Sequence, residues 1–332
     1  MSNVDILNKS MELIIMPTEH CDLDCVYCYE DHLSIGSMSS ETYSALKFFV
    51  SNRIPELERL HIGWFGGEPL LKYNMMLDFM GYLAGEKSRR NPQLVISSGM
   101  TTNAYRLTGP RLECLVGAGI NGYQITFDGD KKEHDSLRIR RDGSGTFDTI
   151  WANVKNAHNT DKSFQITVRL HVNSGNSDSI KRFIDRFLRD IGMDKRFSML
   201  IKPLGRLGGK NDAKLPIVEN GETVENLVQY VREHGITGTT DDPNYVCYAS
   251  KPNSFVIRAN GSINKCTVAL YADHNNVGRL LRDGKVKIDI DKFRGWIRGL
   301  ESGSIEELGC PAKNYPVLKK SLSKKISLNV LA

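Results

Sequence analysis

Three cysteines of this 332-residue chain lie within eight residues, in the segment Cys21-Asp-Leu-Asp-Cys25-Val-Tyr-Cys28. Thiolate sulfurs are soft ligands that bind iron–sulfur clusters and zinc. Three of them on one tight loop can hold three irons of a [4Fe–4S] cluster, which leaves the fourth iron open to bind and activate a small molecule. The alternative is a zinc site with His20 as fourth ligand. Zinc sites usually pair two Cys-x-x-Cys-like turns, so the spacing favours the cluster.

A glycine pair followed by an acid is the second chemical signal, at Gly66-Gly67-Glu68-Pro69 after a predicted strand. Two glycines let the backbone approach a ligand closely. A carboxylate beside them can accept charge-assisted hydrogen bonds from an ammonium group. Alone the segment would be a turn, but its position one β/α unit after the cysteine loop favours a ligand site.

The elements that position these loops follow from short apolar runs alternating with stretches of helical spacing. Strands are predicted at 12–16, 60–65, 94–98, 123–127, 164–172 and 197–201. Helices are predicted between them, at 39–51, 70–83, 110–116, 147–157 and 177–189. About six such units indicate an α/β fold with a parallel sheet or partial barrel, in which functional loops follow the carboxyl ends of the strands.

The C-terminal part of the chain differs in composition and carries Cys247, Cys266 and Cys310. Residues 204–220 are rich in glycine and polar residues, which predicts a linker or cap. A hairpin is predicted at 255–266, around an Asn-Gly turn. We therefore expect two domains, over residues 1–215 and 216–332. Cys114 falls within a predicted helix and is expected to be a core thiol.

On the spacing of Cys21, Cys25 and Cys28, the chain resembles the radical S-adenosylmethionine (AdoMet) enzymes, whose defining loop is CxxxCxΦC with an aromatic Φ. Tyr27 occupies the aromatic position. The resemblance implies a partial (β/α)6 TIM-type barrel with a small C-terminal iron–sulfur auxiliary domain. It also implies that the open iron binds the amino and carboxylate groups of AdoMet, whose reductive cleavage yields a 5′-deoxyadenosyl radical. That chemistry belongs to the cofactors, which the protein positions and protects.

The resemblance extends to the loops that would bind AdoMet. The segment that begins at Gly66 looks like the family's GGEP motif, which binds the amino group of AdoMet. Arg138 ends a His-Asp-x-x-Arg motif and could neutralise the carboxylate of AdoMet, since a guanidinium is planar and always charged. The alternative for Arg138 is an ion pair with Asp128 or Asp135. The implied AdoMet contacts are Tyr27, Gly66, Gly67, Glu68, Pro69, Asn103, Thr126 and Arg138.

The spacing from Cys247 through Gly261 to Cys266 resembles the opening of the SPASM/twitch extension, in which a hairpin and a helix carry auxiliary [4Fe–4S] clusters. A full SPASM domain has seven cysteines, whereas this part of the chain has three. The resemblance therefore implies one auxiliary cluster on Cys247, Cys266 and Cys310, with its fourth iron open or bound by another ligand. The alternative is buried thiols without a cluster.

Family members with both features include anaerobic sulfatase maturases and enzymes that crosslink ribosomally made peptides. The maturases carry an aspartate general base directly after the auxiliary cysteine, where this chain has Thr267. Residues 206–212 and 265–284 look more like the peptide-crosslinking members, including the cyclophane-forming synthases. We expect oxidative crosslinking of peptide side chains by carbon–carbon, ether or thioether bonds. The alternatives are formylglycine formation, dehydrogenation of a sugar or amino sugar, and a non-catalytic electron carrier.

Composition limits the other classes of function. The chain has 44 Lys and Arg and 39 Asp and Glu, which gives a net charge of +5. Over this length, that charge is too weak to indicate binding to nucleic acid. The longest apolar runs are far short of the ~20 residues of a membrane span. The first residues lack the apolar core of a signal peptide, so we expect a cytoplasmic protein. The expected partners are a peptide substrate and a flavodoxin- or ferredoxin-type electron donor, without nucleic acid or membrane.

Overall fold

A single sheet organises the part of the chain that the computed structural model describes, residues 9–32, 34–219, 221–239 and 245–316. Its first six strands are β1 (Ser10–Ile15), β2 (Arg59–Trp64), β3 (Val95–Thr102), β4 (Ile120–Phe127), β5 (Gln165–Val172) and β6 (Phe197–Pro203). Each of these strands pairs in parallel with the next. The predicted parallel α/β architecture is confirmed.

Helices connect these strands, because a parallel pair needs a crossover. They are α1 (Ser40–Arg53), α2 (Tyr73–Arg90), α3 (Gly109–Gly117), α4 (Lys131–Leu137), α5 (Phe147–His158) and α6 (Ser177–Asp190). Local sequence explains their starts. Ser39 caps α1 by accepting a hydrogen bond from the backbone of Thr42, and Asp130 caps α4 by accepting one from Glu133.

The two faces of the sheet have different environments. In β2, Leu60, Ile62 and Trp64 are buried in the main core cluster, to which the helices also contribute, whereas His61 and Gly63 are only partly buried. The same alternation continues in β5, where each buried aliphatic residue is followed by a half-buried residue such as Arg169. The half-buried faces line the inside of the partial barrel, and the loops after the strands carry the candidate site.

The C-terminal part of the chain extends both edges of this sheet. On one edge, α7 (Glu222–Glu233) precedes β7 (Gly238–Thr239), which pairs in parallel with β6. On the other edge, β8 (Ser254–Ile257) pairs in parallel with β1 and forms the predicted hairpin with β9 (Ser262–Asn264). Neither β7 nor the remaining elements were predicted, which are β10 (Asn276–Leu280), β11 (Val286–Ile288), α8 (Ile290–Ile297), α9 (Gly299–Ser302) and α10 (Ile305–Gly309). The division at residue 215 stays a prediction.

The expected burial of Cys114 is wrong, because its side chain is exposed on α3. This helix buries Leu112 and Leu115. Successive helical residues are about 100° apart, so Cys114 points away from that buried face.

Among the described residues, every helix is too short or too polar to span a bilayer.

Candidate active site

The cysteine loop follows the carboxyl end of β1 and is held from both sides. On one side, the backbone N–H groups of Asp24 and Val26 donate to carbonyl oxygens of segment 137–140, each at 2.8 Å. On the other side, the side-chain amide of Asn211 donates to the carbonyl of Val26 at 2.8 Å. A Cβ on Gly209 would lie 2.6 Å from the carbonyl oxygen of Cys28, so the loop after β6 packs directly on the cysteine loop.

The thiols of Cys21, Cys25 and Cys28 line one cavity of about 260 Å³, which we call the cofactor cavity. Cys21 and Cys25 are buried and Cys28 is half-buried. Burial raises the pKa of all three thiols, that of Cys28 to about 12. Buried thiols of this kind become thiolates when a metal binds, because the metal replaces the proton.

Most of the residues expected to contact AdoMet line the same cavity. They come from loops and strand ends that are far apart in sequence, in line with parallel strands whose carboxyl ends share one edge. The predicted residues in the lining are Cys21, Cys25, Tyr27, Cys28, Gly66, Gly67, Asn103, Thr126 and Arg138. Glu68 and Pro69 are buried in the same loop but are not part of the lining.

The Gly66-Gly67 backbone packs against the segment that leads into Cys21. Gly66 has φ +110°, and a Cβ there would lie 2.3 Å from the carbonyl oxygen of Thr18. A Cβ on Gly67 would be equally close to the carbonyl oxygen of His20. The fold therefore requires both glycines where the two loops meet, and the same bare backbone faces the cofactor cavity.

Glu68 is fully buried, and its carboxylate joins two loops. It accepts hydrogen bonds from the backbone of Leu70 at 2.9 Å, the hydroxyl of Thr102 at 2.8 Å and the backbone of Asn103 at 2.7 Å. Burial raises the pKa of Glu68 to about 7, although these hydrogen bonds favour the ionised form. A carboxylate has about four acceptor positions, and the protein fills three of them.

Tyr27 and Arg138 form a buried polar chain beside Cys25. Arg138 donates to the hydroxyl of Tyr27 at 2.7 Å, and that hydroxyl donates to Asp128 at 2.9 Å. The ring of Tyr27 contacts the edge of His171, whose Nδ1 lies 3.4 Å from Asp128. Burial alone would raise the pKa of Asp128, but the nearby His171, followed by the charge of Arg138, holds the pKa below its usual range.

Of the two carboxylates considered as ion-pair partners of Arg138, Asp128 interacts with it through charge and through the Tyr27 hydroxyl, whereas Asp135 has other partners. Asp135 accepts hydrogen bonds from the backbone of Thr146 and Phe147 and pairs with Lys131. The Nε of Arg138 is buried without a hydrogen-bond partner. An unpaired buried donor costs about 1–3 kcal/mol, so an anionic group of a ligand suits this position.

The zinc alternative is not supported. His20 is exposed and does not line the cavity that the three thiols share, so it is not placed beside them as a fourth ligand would be. In the described ranges, no three His, Cys, Asp or Glu side chains converge on the position of one metal ion. Each thiolate of a [4Fe–4S] cluster binds its own iron, so the three cysteines need only line one cavity, as they do.

Several residues of this region were missed by sequence reasoning. His32 lies four positions after Cys28, and its Nε2 is 3.2 Å from the Cys28 sulfur while its Nδ1 faces the carbonyl of Glu19 at 2.8 Å. Arg169 and His171 line the cofactor cavity from β5. Their signal was the period-two alternation of that strand, which places residues 167, 169 and 171 on the inner face.

The C-terminal cysteines come close together from three segments. Cys247 donates its backbone N–H to Leu308 at 2.9 Å, two residues before Cys310. Burial, and then the nearby Cys266 and Cys310, raise the pKa of Cys247 to about 11. The sulfur of Cys266 accepts backbone hydrogen bonds from Val268 and Ala269. Cys266 is buried, Cys247 half-buried and Cys310 exposed, which differs from the alternative of three buried thiols.

Thr267, the residue after Cys266, is fixed by two tyrosines. The hydroxyl of Tyr29 donates to its carbonyl oxygen at 3.1 Å. The hydroxyl of Tyr248 lies 2.8 Å from its side-chain oxygen and accepts its backbone N–H at 2.8 Å. Because Tyr29 follows Cys28 directly, the two cysteine-bearing segments are joined through one side chain.

Comparison with known proteins agrees with this geometry. An uncharacterized protein of Methanocaldococcus jannaschii is 28% identical over 141 residues, which are 42% of this chain and 46% of that relative, so the match spans less than half the relative's length. Native anSMEcpe with bound AdoMet and Cp18Cys peptide is similar in fold, with a TM-score of 0.61 and 17% identity over 86% of this chain and 80% of that chain. Streptococcus suis SuiB bound to precursor peptide SuiA is also similar, with a TM-score of 0.57 and 16% identity over 81% of this chain and 62% of that chain.

At these identities the likeness to solved structures shows the fold alone. The family model of the Radical SAM superfamily matches residues 15–187, more than half of the chain, and includes the cysteine loop and the glycine loop. The chain belongs to the Radical SAM superfamily.

Proposed function

We propose that this radical SAM enzyme holds its [4Fe–4S] cluster on Cys21, Cys25 and Cys28, binds AdoMet in the same cavity and oxidatively modifies a peptide. The observation that carries the proposal is one cavity lined by the three thiols, the Gly66-Gly67 backbone and a buried arginine. When bound, the cluster and AdoMet supply hydrogen-atom abstraction through a 5′-deoxyadenosyl radical.

The protein's own part in this reaction is to fix positions. The hydrogen bonds that join the cysteine loop to segment 137–140 and to Asn211 hold the thiols in place. Glu68 holds the glycine loop against the end of β3, so the backbone of Gly67 faces the cofactor cavity, where it would contact the AdoMet amino group. Arg138 would bind the AdoMet carboxylate through its buried guanidinium, and the ring of Tyr27 would pack near the adenine.

For the substrate, we propose side-chain crosslinking in a ribosomally made peptide. The side-chain oxygen of Thr267 lies within hydrogen-bond distance of Tyr248, and a threonine hydroxyl does not take up a proton near neutral pH. A mechanism that needs an aspartate base after the auxiliary cysteine therefore has no such group here. Both anSMEcpe and SuiB were solved with peptides bound, which supports a peptide as the substrate of this related fold.

We also propose one auxiliary cluster on Cys247, Cys266 and Cys310, in a C-terminal domain over residues 216–332. A cluster held there would supply an acceptor for the electron released when the substrate radical closes a bond and loses a proton. Net two-electron oxidation needs such an acceptor after hydrogen abstraction. A flavodoxin- or ferredoxin-type protein would supply the electron that starts each turnover.

The test is a reaction of anaerobically reconstituted protein with AdoMet, dithionite and any short precursor peptide that is encoded beside its gene. Crosslinking predicts 5′-deoxyadenosine together with a peptide that is lighter by two hydrogen atoms and has a new bond between side chains. A peptide product that carries a formylglycine aldehyde would show that the reaction is maturase-like oxidation and not crosslinking. Deoxyadenosine without any peptide change would contradict the peptide proposal.

A further inference from the structure

One carboxylate beside the cysteine loop has a buried oxygen that accepts no hydrogen bond. Glu30 lies two residues after Cys28. Its Oε2 is buried, and none of the described residues donates to it. Buried acceptors are nearly always paired in folded proteins, because an unpaired one loses its hydrogen bonds to water without replacement. The position of this oxygen therefore suits a donor that comes from a ligand.

The charges around Glu30 leave it short of a cation. Those that act on it most strongly are two carboxylates, Glu19 and Glu68, and one guanidinium, that of Arg258. Arg258 is already paired with Glu19, to which its Nε donates at 3.1 Å and its Nη2 at 2.5 Å. Its Nη1 donates to the carbonyl of Leu270 at 3.3 Å. Because Glu19 balances this guanidinium, an ionised Glu30 has no cation of its own among these groups.

Glu30 lies between two cavities. One is the cofactor cavity, and the other is a cavity of about 500 Å³, which we call the outer cavity because exposed residues such as Asp31 and Lys210 line it. The residues that line both cavities are Leu23, Cys28, Tyr29, Glu30 and His32. A group bound to Glu30 in the outer cavity is therefore next to the segment that carries the Cys28 thiol.

The lining of the outer cavity is more acidic than basic. Its charged residues are the acids Asp24, Glu30 and Asp31 and the bases Arg141 and Lys210. With its histidine neutral, the described lining has a net charge of −1. Lys210 is paired with Asp24 at 3.0 Å. A cation that enters this cavity therefore meets a favourable net charge, and at Glu30 it meets a buried acceptor.

The cofactor cavity has the opposite balance, which sets the side from which a cation would reach Glu30. Its basic residues are Arg138, Arg169 and Lys202, and Glu30 is the one acidic residue in its described lining. Like charges repel more strongly in a cavity than in water, because the local dielectric constant is lower. A cationic group is therefore expected on the side of the outer cavity.

We propose that the outer cavity binds a basic side chain of the peptide substrate, Lys or Arg, whose cation donates to the carboxylate of Glu30. This inference rests on the proposed peptide function and names the kind of residue by which the peptide is recognised. An ammonium or a guanidinium donates to Oε2 and also supplies the positive charge that the surrounding groups lack. The neighbouring residues of the peptide then reach the cofactor cavity, where AdoMet binds.

The first test measures peptide binding to the cluster-loaded protein with AdoMet bound. The probe is an equimolar pool of short N-acetylated peptides, in which each member with one Lys has an acetyl-lysine twin and each member with one Arg has a citrulline twin. The parent should retain basic members about 10–150-fold more strongly than their neutral twins, as a hydrogen-bonded ion pair implies. The whole chain carries +5, so non-specific attraction would act against this preference.

The second test removes the charge of Glu30. Glu30→Gln should retain basic and neutral twins equally, because the amide keeps the shape of the side chain and loses its charge. AdoMet affinity should stay at the parent value. Glu113→Gln is the matched control, since it removes the same charge at an exposed position on α3 and should keep the preference. Thermal unfolding shows whether each variant is folded, and the twin comparison in the parent gives an independent answer if Glu30→Gln does not fold.

The outcomes separate this inference from the function on which it rests. A parent that retains no peptide overturns the peptide function and the inference together. A parent that retains basic and neutral twins equally overturns only the inference, and so does a folded Glu30→Gln that keeps the parent's preference. If Glu30→Gln weakens AdoMet binding and leaves the preference for basic twins unchanged, Glu30 contacts AdoMet and the inference is wrong.

Discussion

The buried carboxylate of Glu68 accepts a hydrogen bond from the backbone N–H of Asn103 at 2.7 Å. This contact ties the glycine loop after β2 to the end of β3, and the hydroxyl of Thr102 adds a second tie at 2.8 Å. The side chain lies behind the wall of the cofactor cavity, so it positions the backbone of Gly66 and Gly67 that lines this cavity.

Replacing Glu68 should therefore affect both stability and cofactor binding. Glu68→Ala leaves buried donors unpaired, and the free energy of unfolding of the metal-free protein should fall by about 2–4 kcal/mol. AdoMet binding should weaken about 10–150-fold because the loop loses its anchor. Urea unfolding and AdoMet titration measure the two effects, with exposed Glu113→Ala as control. If the urea unfolding midpoint of Glu68→Ala is unchanged and its affinity for AdoMet is within threefold of the parent value, Glu68 is only a turn residue.

Two substitutions should show how much Arg138 and Tyr27 each contribute to the affinity for AdoMet. Arg138→Gln removes the cation and should weaken AdoMet binding about 10–150-fold. Tyr27→Phe keeps the ring and the cation and removes two hydrogen bonds that only position Arg138, so its effect should be smaller, about 2–13-fold. Equilibrium binding of AdoMet to the cluster-loaded variants gives the order. An Arg138→Gln variant that binds as tightly as the parent would remove Arg138 from the AdoMet site.

Local sequence patterns predicted most of the barrel. The period-two and helical spacings placed β5 and α6 within a residue or two of their observed bounds, since each buries one regular face. The short helix α4 was missed because seven residues with one buried side chain, His134, carry no apolar period. The pairing of β8 with β1 was also missed, because it joins residues far apart in sequence that have no local signal.

The candidate site shows the same division. The cysteines, the glycine pair and Arg138 were found because their spacing matches a chemical motif. Glu68 was assigned a direct AdoMet contact, yet its partners Thr102 and Asn103 come from another strand and become visible only in three dimensions. Arg169 has no motif, and only its place on the inner face of β5 brings it to the cofactor cavity.

His134 should make the stability of the metal-free protein depend on pH. Burial among Phe127 and Phe147 lowers its pKa to about 4. Between about pH 4 and 6.5 the unfolded state then binds more protons than the folded state, so stability falls as pH is lowered, by at most about 1.4 kcal/mol per unit. Urea unfolding across this range should show a smaller slope for His134→Gln than for the parent. Equal slopes in the two proteins would contradict the assignment.

Iron content and product yield should separate the two cysteine sets. Three cysteines in each set support one cluster each, so reconstituted protein should hold about eight irons. Cys266→Ala should hold about four, still cleave AdoMet, and form less crosslinked product per deoxyadenosine because the electron acceptor is lost. Iron analysis and product ratios measure this. A folded Cys266→Ala variant with the parent ratio would limit the C-terminal site to a structural role.

The most direct test of radical SAM chemistry at the cysteine loop is 5′-deoxyadenosine formation by Cys25→Ala. Cys25 is buried in the cofactor cavity, and its loss leaves two thiolates, too few to hold a cluster with one open iron. Under dithionite with AdoMet, deoxyadenosine should fall to background while circular dichroism shows an intact fold. The control Cys114→Ala, which removes an exposed thiol on α3, should keep the parent rate. Deoxyadenosine formation by Cys25→Ala at the parent rate would contradict the account.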